Sequence, residues 1–131
     1  MTYILDTDIC SYAIRKYETV VKNIILHEHD SLFISSISYA ELLFGAQRKK
    51  SAKLLHAVRK FLECLHVVDF DTKCAEEYAA IRTYLEAKGS PVGNMDMLIA
   101  ATAKSANAII VTNNIKHYQG IPKLVMENWA N

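Results

Sequence analysis

The chain contains no apolar run approaching ~18 residues, the length a helix needs to cross a bilayer. Nor does a basic segment followed by a long apolar one stand at its start, so no membrane span or signal peptide is indicated. Cysteine is scarce. Cys10, Cys64 and Cys74 are odd in number, far apart and include no C-x-x-C pair. That usage points to reduced thiols in a cytoplasm rather than a disulfide framework or a zinc knuckle. The five histidines (His27, His29, His56, His66 and His117) form no H-E-x-x-H or other paired-ligand spacing, and they read as surface or core residues. No G-x-S-x-G, P-loop or G-x-G-x-x-G occurs, which leaves serine-nucleophile chemistry and nucleotide cradling without a motif. An excess of one charge is missing too: the net charge is +1, so the field of the whole molecule carries no nucleic-acid signal. Internal repeats, low-complexity tracts and linkers are also absent.

What is present is a globular composition. The chain has 131 residues, 51% of them hydrophobic, within the usual size of one domain spanning 1–131. A chain of that length removes about two-thirds of its surface from water on folding, enough for a core without staples. Short apolar runs alternate with amphipathic stretches. "TYILD" (2–6) precedes helical sequence to about residue 29. "LFISS" (32–36) precedes helical sequence over 38–65, broken near 45–50. "HVVDF" (66–70) precedes a helix over 72–88, in which Tyr78, Ile81 and Leu85 keep the 3–4 spacing. Gly89 ends that helix, with Pro91 just beyond. A further helix is expected over 94–106, a strand over 108–112 and a short last strand over 124–126. Strands separated by helices in this way predict an α/β domain with a central parallel sheet covered on both faces.

In open α/β sheets, ligands sit beyond the carboxyl ends of the strands. Asp6 and Asp8 follow the first strand, Glu41 the second, Asp96 opens the helix that feeds the last main strand, and Asn113 and Asn114 follow that strand. Three acids and an amide can therefore meet at one edge. Each also has a structural alternative. Ser38 and Glu41 make an S-x-x-E capping box with Ile37 and Leu42 as its staple. Asn94 can cap a helix with Asp96 in its first turn, Asn113–Asn114 is a natural turn pair, and Asp8 suits a helix cap. Asp6 resists such explanations, because it follows directly on a buried strand where a charge is costly. Asp69 and Asp71 lie near another strand end, but there Asp71 or Thr72 serves as a helix cap. Arg48, Lys49, Lys50 and Lys53 form a basic cluster that reads either as a solvated helix end or as a phosphate-contacting patch.

"YILDTDIC", "SSISYAELLFGA", "GSPVGNMDMLIAATA" and "IIVTNNIKHYQGI" together resemble, in order and spacing, the PIN-domain ribonucleases, and within them the VapC toxins of bacterial toxin–antitoxin pairs. The resemblance runs from about residue 3 to Trp129. It implies an α/β/α sandwich with a parallel sheet, and it places the catalytic acids and metal ligands on Asp6, Glu41 and Asp96. The frequent fourth acid falls on Asn114, a departure that favours one tightly held ion over two. Asp8 falls where the family often carries Asn and takes an outer position.

The activity so implied is Mg²⁺-dependent hydrolysis of RNA phosphodiester bonds, with Mn²⁺ able to substitute, since hard oxygen ligands suit both ions. Asn114 and the hydroxyls of Thr7 and Thr112 support the site by orienting water or phosphate, and Arg48, Lys49 and Lys50 contact RNA phosphates. The resemblance further implies a VapB-like antitoxin partner, a homodimer, promoter DNA bound only through the antitoxin, structured RNA such as tRNA as the target, and inhibition of translation. No membrane role is expected. Crowding of the carboxylates should raise at least one pKa. Two rivals stand beside this reading. An inactive PIN-like RNA-binding or interaction module would bind Mg²⁺ without cutting RNA. A haloacid-dehalogenase-like phosphatase would use the first Asp of "LDTDIC" as a nucleophile, although Cys10 stands where its motif needs Thr or Val.

Overall fold

The protein is described by a computed structural model that covers residues 1–90 and 92–131. Pro91, expected just past a helix end, lies outside the described residues. The elements follow in chain order as β1 (Thr2–Leu5), α1 (Thr7–Ile14), α2 (Glu18–Leu26), β2 (Ser31–Ser35), α3 (Ser36–Arg48), α4 (Ala52–Leu62), β3 (His66–Val68), α5 (Thr72–Lys88), α6 (Asn94–Ser105), β4 (Ile109–Val111), α7 (Ile115–Tyr118) and β5 (Met126–Glu127). The strands form one parallel sheet in the order β3-β2-β1-β4-β5.

Both faces of that sheet are covered, as a parallel sheet requires. Along β1 the pleat sends Tyr3 and Leu5 into one core and Ile4 into the other. The first core holds Ile9, Cys10, Val20, Leu42, Val58 and Leu62 from α1 to α4. The second holds Ile81, Leu85, Met97, Ala100 and Tyr118 from α5, α6 and α7. The result is the α/β/α sandwich expected from the alternation of runs. The chain steps from β1 outward to β3 on one side and returns to place β4 on the other side of β1, so the strand order reverses between β1 and β4. The backbone of Asp6 is fixed at this reversal, its N–H donating to the Val111 carbonyl at 2.8 Å.

The helix ends differ from the sequence reading in an informative way. Helical sequence up to residue 29 divides into α1 and α2, because Lys16 turns the chain at φ 61. The later break, expected near 45–50, falls at the far end of that range, at Lys50 (φ 52), and Gly45 lies inside α3. Ser35, not Ser38, caps α3: its side chain accepts from the Ser38 N–H at 3.0 Å. The Ser38–Glu41 capping box is therefore not formed, and Glu41 has no part in capping the helix. Likewise Gly93, not Asn94, holds the cap position of α6, and Asp96 sits in the first turn. Asp71 does cap α5, accepting from the Cys74 N–H at 3.0 Å, and Gly89 ends it at φ 66. Because Ser35 is fully buried, Ser35→Ala should lower the unfolding free energy by about 1 kcal/mol in urea denaturation.

Candidate active site

The site is built around the reversal of strand order. Asp6 is the N-cap of α1 in extended backbone (φ −66, ψ 160), and it is only 4% exposed. Its Oδ1 accepts from the Thr7 N–H at 2.8 Å. Its Oδ2 accepts from the Thr112 hydroxyl at 2.7 Å and from the Tyr118 hydroxyl at 3.1 Å. Thr112 is held just past β4 by its own N–H on the Glu127 carbonyl, and its Oγ1 accepts from the Asn114 N–H at 3.0 Å. Burial pushes the Asp6 carboxyl up to about 6, and the nearby Asp8 charge adds to the rise against the three hydrogen bonds that oppose it. At least one carboxyl is raised, as expected, but burial is the larger cause and Asp8 the neighbour that contributes.

The helix cap that the sequence offers to Asp8 is made by Asp6 instead. Asp6 caps the helix from a buried position, whereas Asp8 lies in the first turn and accepts from the Ile9 N–H at 2.7 Å and the Asn113 N–H at 3.0 Å. Asp8 is also raised, first by burial, with the charge of Asp96 contributing. Asp8 thus joins β1's carboxyl end to the turn after β4.

Thr7 and Tyr118 connect the other acids to Asp6, Thr7 by its N–H on Asp6 and its hydroxyl on Glu41, Tyr118 by one hydroxyl that faces both Asp6 and Asp96. The Thr7 hydroxyl lies 2.6 Å from Glu41 Oε1, to which it donates, and 2.8 Å from the buried Ser38 hydroxyl. On the other side, the Tyr118 hydroxyl lies 3.3 Å from Asp96 Oδ1. His117 Nδ1 lies 3.1 Å from Asp96 Oδ2. Asp6, Glu41 and Asp96 are therefore gathered at one sheet edge, each tied to a neighbouring side chain. Among the described residues, no three or more His, Cys, Asp or Glu side chains converge into a ready-made metal cage.

The supporting residues sort themselves by contact. Thr7 and Thr112 touch the acids directly, and Asn114 joins through its backbone N–H. Arg48 and Lys49 line a groove of about 290 Å³ that runs from Thr7 and Glu41 over an apolar floor that includes Leu42. Arg15, which sequence reading did not single out, lines it as well. Lys50 does not line the groove. Tyr118 and His117 were also missed. Tyr118 looks like an ordinary core residue by pattern, and His117 has its partner 21 residues away, where no short spacing reveals it.

The parallel sheet, the reversal at β1 and the acids beyond its carboxyl edge define a class, and comparison with known proteins agrees. The model of the PIN domain family matches residues 3–120. Ribonuclease VapC2 of Rickettsia felis is 44% identical over 98% of both chains. The tRNA(fMet)-specific endonuclease VapC of Salmonella typhimurium is 33% identical over 99% of both. Among solved structures, VapBC2 of Rickettsia felis bound to a fragment of promoter DNA contains a chain that superposes at a TM-score of 0.93, with 43% identity over 98% of this chain and 99% of that one. The chain belongs to the PIN-domain family, in its VapC ribonuclease branch. Membership displaces the haloacid-dehalogenase alternative, and Cys10 is buried in the first core rather than placed at the site. Among the described residues, no helix is long and apolar enough to cross a membrane.

Proposed function

We propose that this protein is a Mg²⁺-dependent endoribonuclease toxin that hydrolyses phosphodiester bonds in structured RNA such as tRNA and thereby inhibits translation. The observation that carries the reading is the buried carboxylate of Asp6 at the strand reversal, linked through the Tyr118 hydroxyl to Asp96 and through Thr7, whose N–H it accepts and whose hydroxyl donates onward, to Glu41. A carboxylate kept in a poorly solvated position needs a compensating cation or proton. The donors gathered there are carboxylate and hydroxyl oxygens, the set that hard divalent cations prefer. Asp6, Glu41 and Asp96 would hold Mg²⁺, or Mn²⁺ in its place. When bound, such an ion supplies a water of lowered pKa and stabilises charge on phosphate.

The chain's own residues supply the rest. Thr112 and the Thr7 N–H hold the Asp6 carboxylate in one orientation. Thr7 aims Glu41 toward the same edge. A carboxylate at this edge accepts the proton released by the attacking water, the part played by a general base. Asp8 keeps the turn carrying Asn113 and Asn114 against β1. Arg15, Arg48 and Lys49 stand along the groove beside Glu41 where an RNA backbone can be neutralised, with Lys50 a more distant contributor. An amide at Asn114 leaves three acids and favours one ion.

The partners follow from the relatives. Several solved neighbours are VapBC complexes, and those from Rickettsia felis and Salmonella typhimurium are bound to DNA. By analogy this chain pairs with a VapB-like antitoxin that obstructs the acidic edge, forms homodimers in the cytoplasm, and meets promoter DNA only through that antitoxin. Freed of antitoxin and incubated with total RNA and Mg²⁺, the protein should give a few discrete cuts bearing 5′-phosphate and 3′-hydroxyl ends. Ends carrying 2′,3′-cyclic phosphate would show attack by the ribose hydroxyl and overturn hydrolysis by water. Tight Mg²⁺ binding with no cut at all would instead support the inactive interaction module.

A further inference from the structure

Tyr118 ends α7, a single helical turn placed directly after β4. Its ring is fully buried among the residues of the second core, Ile4, Ile81, Leu85 and Ile121 among them. A phenol so placed must find partners for its hydroxyl. Here the hydroxyl faces two carboxylates at once, 3.1 Å from Asp6 Oδ2 and 3.3 Å from Asp96 Oδ1. These two acids come from elements far apart in the chain, the end of β1 and the first turn of α6. Tyr118 is the side chain that joins them.

Hydrogen-bond accounting shows how unequal the two acids are without it. Asp6 would keep the Thr7 N–H on one oxygen and the Thr112 hydroxyl on the other. Among the described residues, Asp96 would keep only His117, whose side chain is 57% exposed. Asp96 is itself partly exposed, so its side chain would be free to turn into solvent. A phenol has one hydrogen to give. At these two distances it is shared, and it holds both carboxylates toward one point from the apolar side of the site.

We propose that Tyr118 is a positioning residue of the acidic centre: its hydroxyl fixes Asp6 and Asp96 relative to each other so that both are already aimed when a divalent cation arrives. This rests on the cation-dependent reading above. Removing such a supporting hydroxyl leaves the ligands present but loosens them, and losses of that kind run to about 10–100-fold in metal affinity or activity.

The test compares the parent protein with Tyr118→Phe, which keeps the ring in its apolar surroundings. Mn²⁺ binding is followed by electron paramagnetic resonance and melting is followed in EDTA. The expected result is a metal-free melting temperature within a few degrees of the parent and a Mn²⁺ dissociation constant raised about tenfold. In RNA cleavage the half-saturating Mg²⁺ should rise similarly, while the KM for RNA is unchanged. Should Tyr118→Phe not fold, 3-fluorotyrosine placed at position 118 of the otherwise unaltered chain gives a ¹⁹F resonance that should move on Mg²⁺ addition. Equal Mn²⁺ affinity in the folded variant, or a stationary resonance at saturating Mg²⁺, overturns the role of Tyr118 alone. A parent protein that binds no Mn²⁺ overturns the cation reading, and the proposal with it.

Discussion

Asp6→Asn should reduce RNA cleavage at least about 10³-fold while making the metal-free protein more stable at neutral pH. The loss follows from removing a carboxylate where a cation would contribute several kcal/mol to the transition state, at about 1.4 kcal/mol per tenfold in rate. The gain in stability follows from the environment of Asp6. Its carboxyl is raised from the ordinary 3.8 to about 6, chiefly by burial. A group whose pKa is raised on folding favours the native state most when protonated. Its contribution is complete below about pH 4, is lost as the pH climbs through 6, and stays lost above that. A shift of about two units corresponds to roughly 3 kcal/mol at neutral pH.

Asparagine avoids that penalty but cannot accept from Thr7, Thr112 and Tyr118 as a carboxylate does, so the net gain should be about 1–2 kcal/mol. Melting in EDTA at pH 7.5 should therefore rise by about 4–8 °C, and near pH 4, where the parent no longer carries a charge on Asp6, the difference should reverse sign. An Asp6→Asn protein that melts well below the parent at pH 7.5 would mean that its capping of α1 outweighs the cost of its charge.

The second large effect is linkage between the cation and folding. A ligand that binds only the native state adds stability as its concentration passes its dissociation constant, about 2.7 kcal/mol at a hundredfold excess. Mg²⁺ should therefore raise the melting temperature of the parent by about 10 °C at such an excess. The rise should be largest above pH 6. At lower pH a proton on Asp6 must be displaced before the carboxylate can bind, so the stabilisation should shrink as the pH falls. In Asp6→Asn the Mg²⁺ effect should be nearly absent at every pH. A parent that melts at the same temperature with and without Mg²⁺ at pH 7.5 would argue against the acidic centre as a cation site.

Much of the fold was legible because it rests on local patterns. The runs around Ile4, Ile34 and Ile110 are apolar because both faces of a parallel sheet are covered, and the helix over Thr72–Lys88 shows its period and its closing glycine openly. Helix starts were less legible. Ser35, Ser36 and Ser38 are all plausible caps by type, and the choice depends on which residue stays extended at the end of β2. The same holds for Asp6 and Asp8, where the strand carries Asp6 into the cap position and leaves Asp8 in the first turn.

The site divides along the same line. Asp6 and Asp96 could be placed at one edge because each stands at an element boundary that sequence marks, and Glu41 because it lies early in the helix that follows β2. Tyr118 could not, because nothing in an aromatic residue after a short polar turn tells whether its hydroxyl meets water or two carboxylates. Arg15 reaches the groove only because α1 packs beside α3 and α4, a tertiary fact with no local signature.

The central claim is that RNA cleavage depends on a divalent cation held by Asp6, Glu41 and Asp96. Single-turnover cleavage of RNA by antitoxin-free protein, first in EDTA and then with Mg²⁺ restored, tests it most directly, with Asp6→Asn run alongside. The account predicts no cutting in EDTA, full recovery with Mg²⁺, and a rate at least about 10³-fold lower for Asp6→Asn at the same Mg²⁺. Cutting at an undiminished rate in EDTA, or by Asp6→Asn in Mg²⁺, would contradict it.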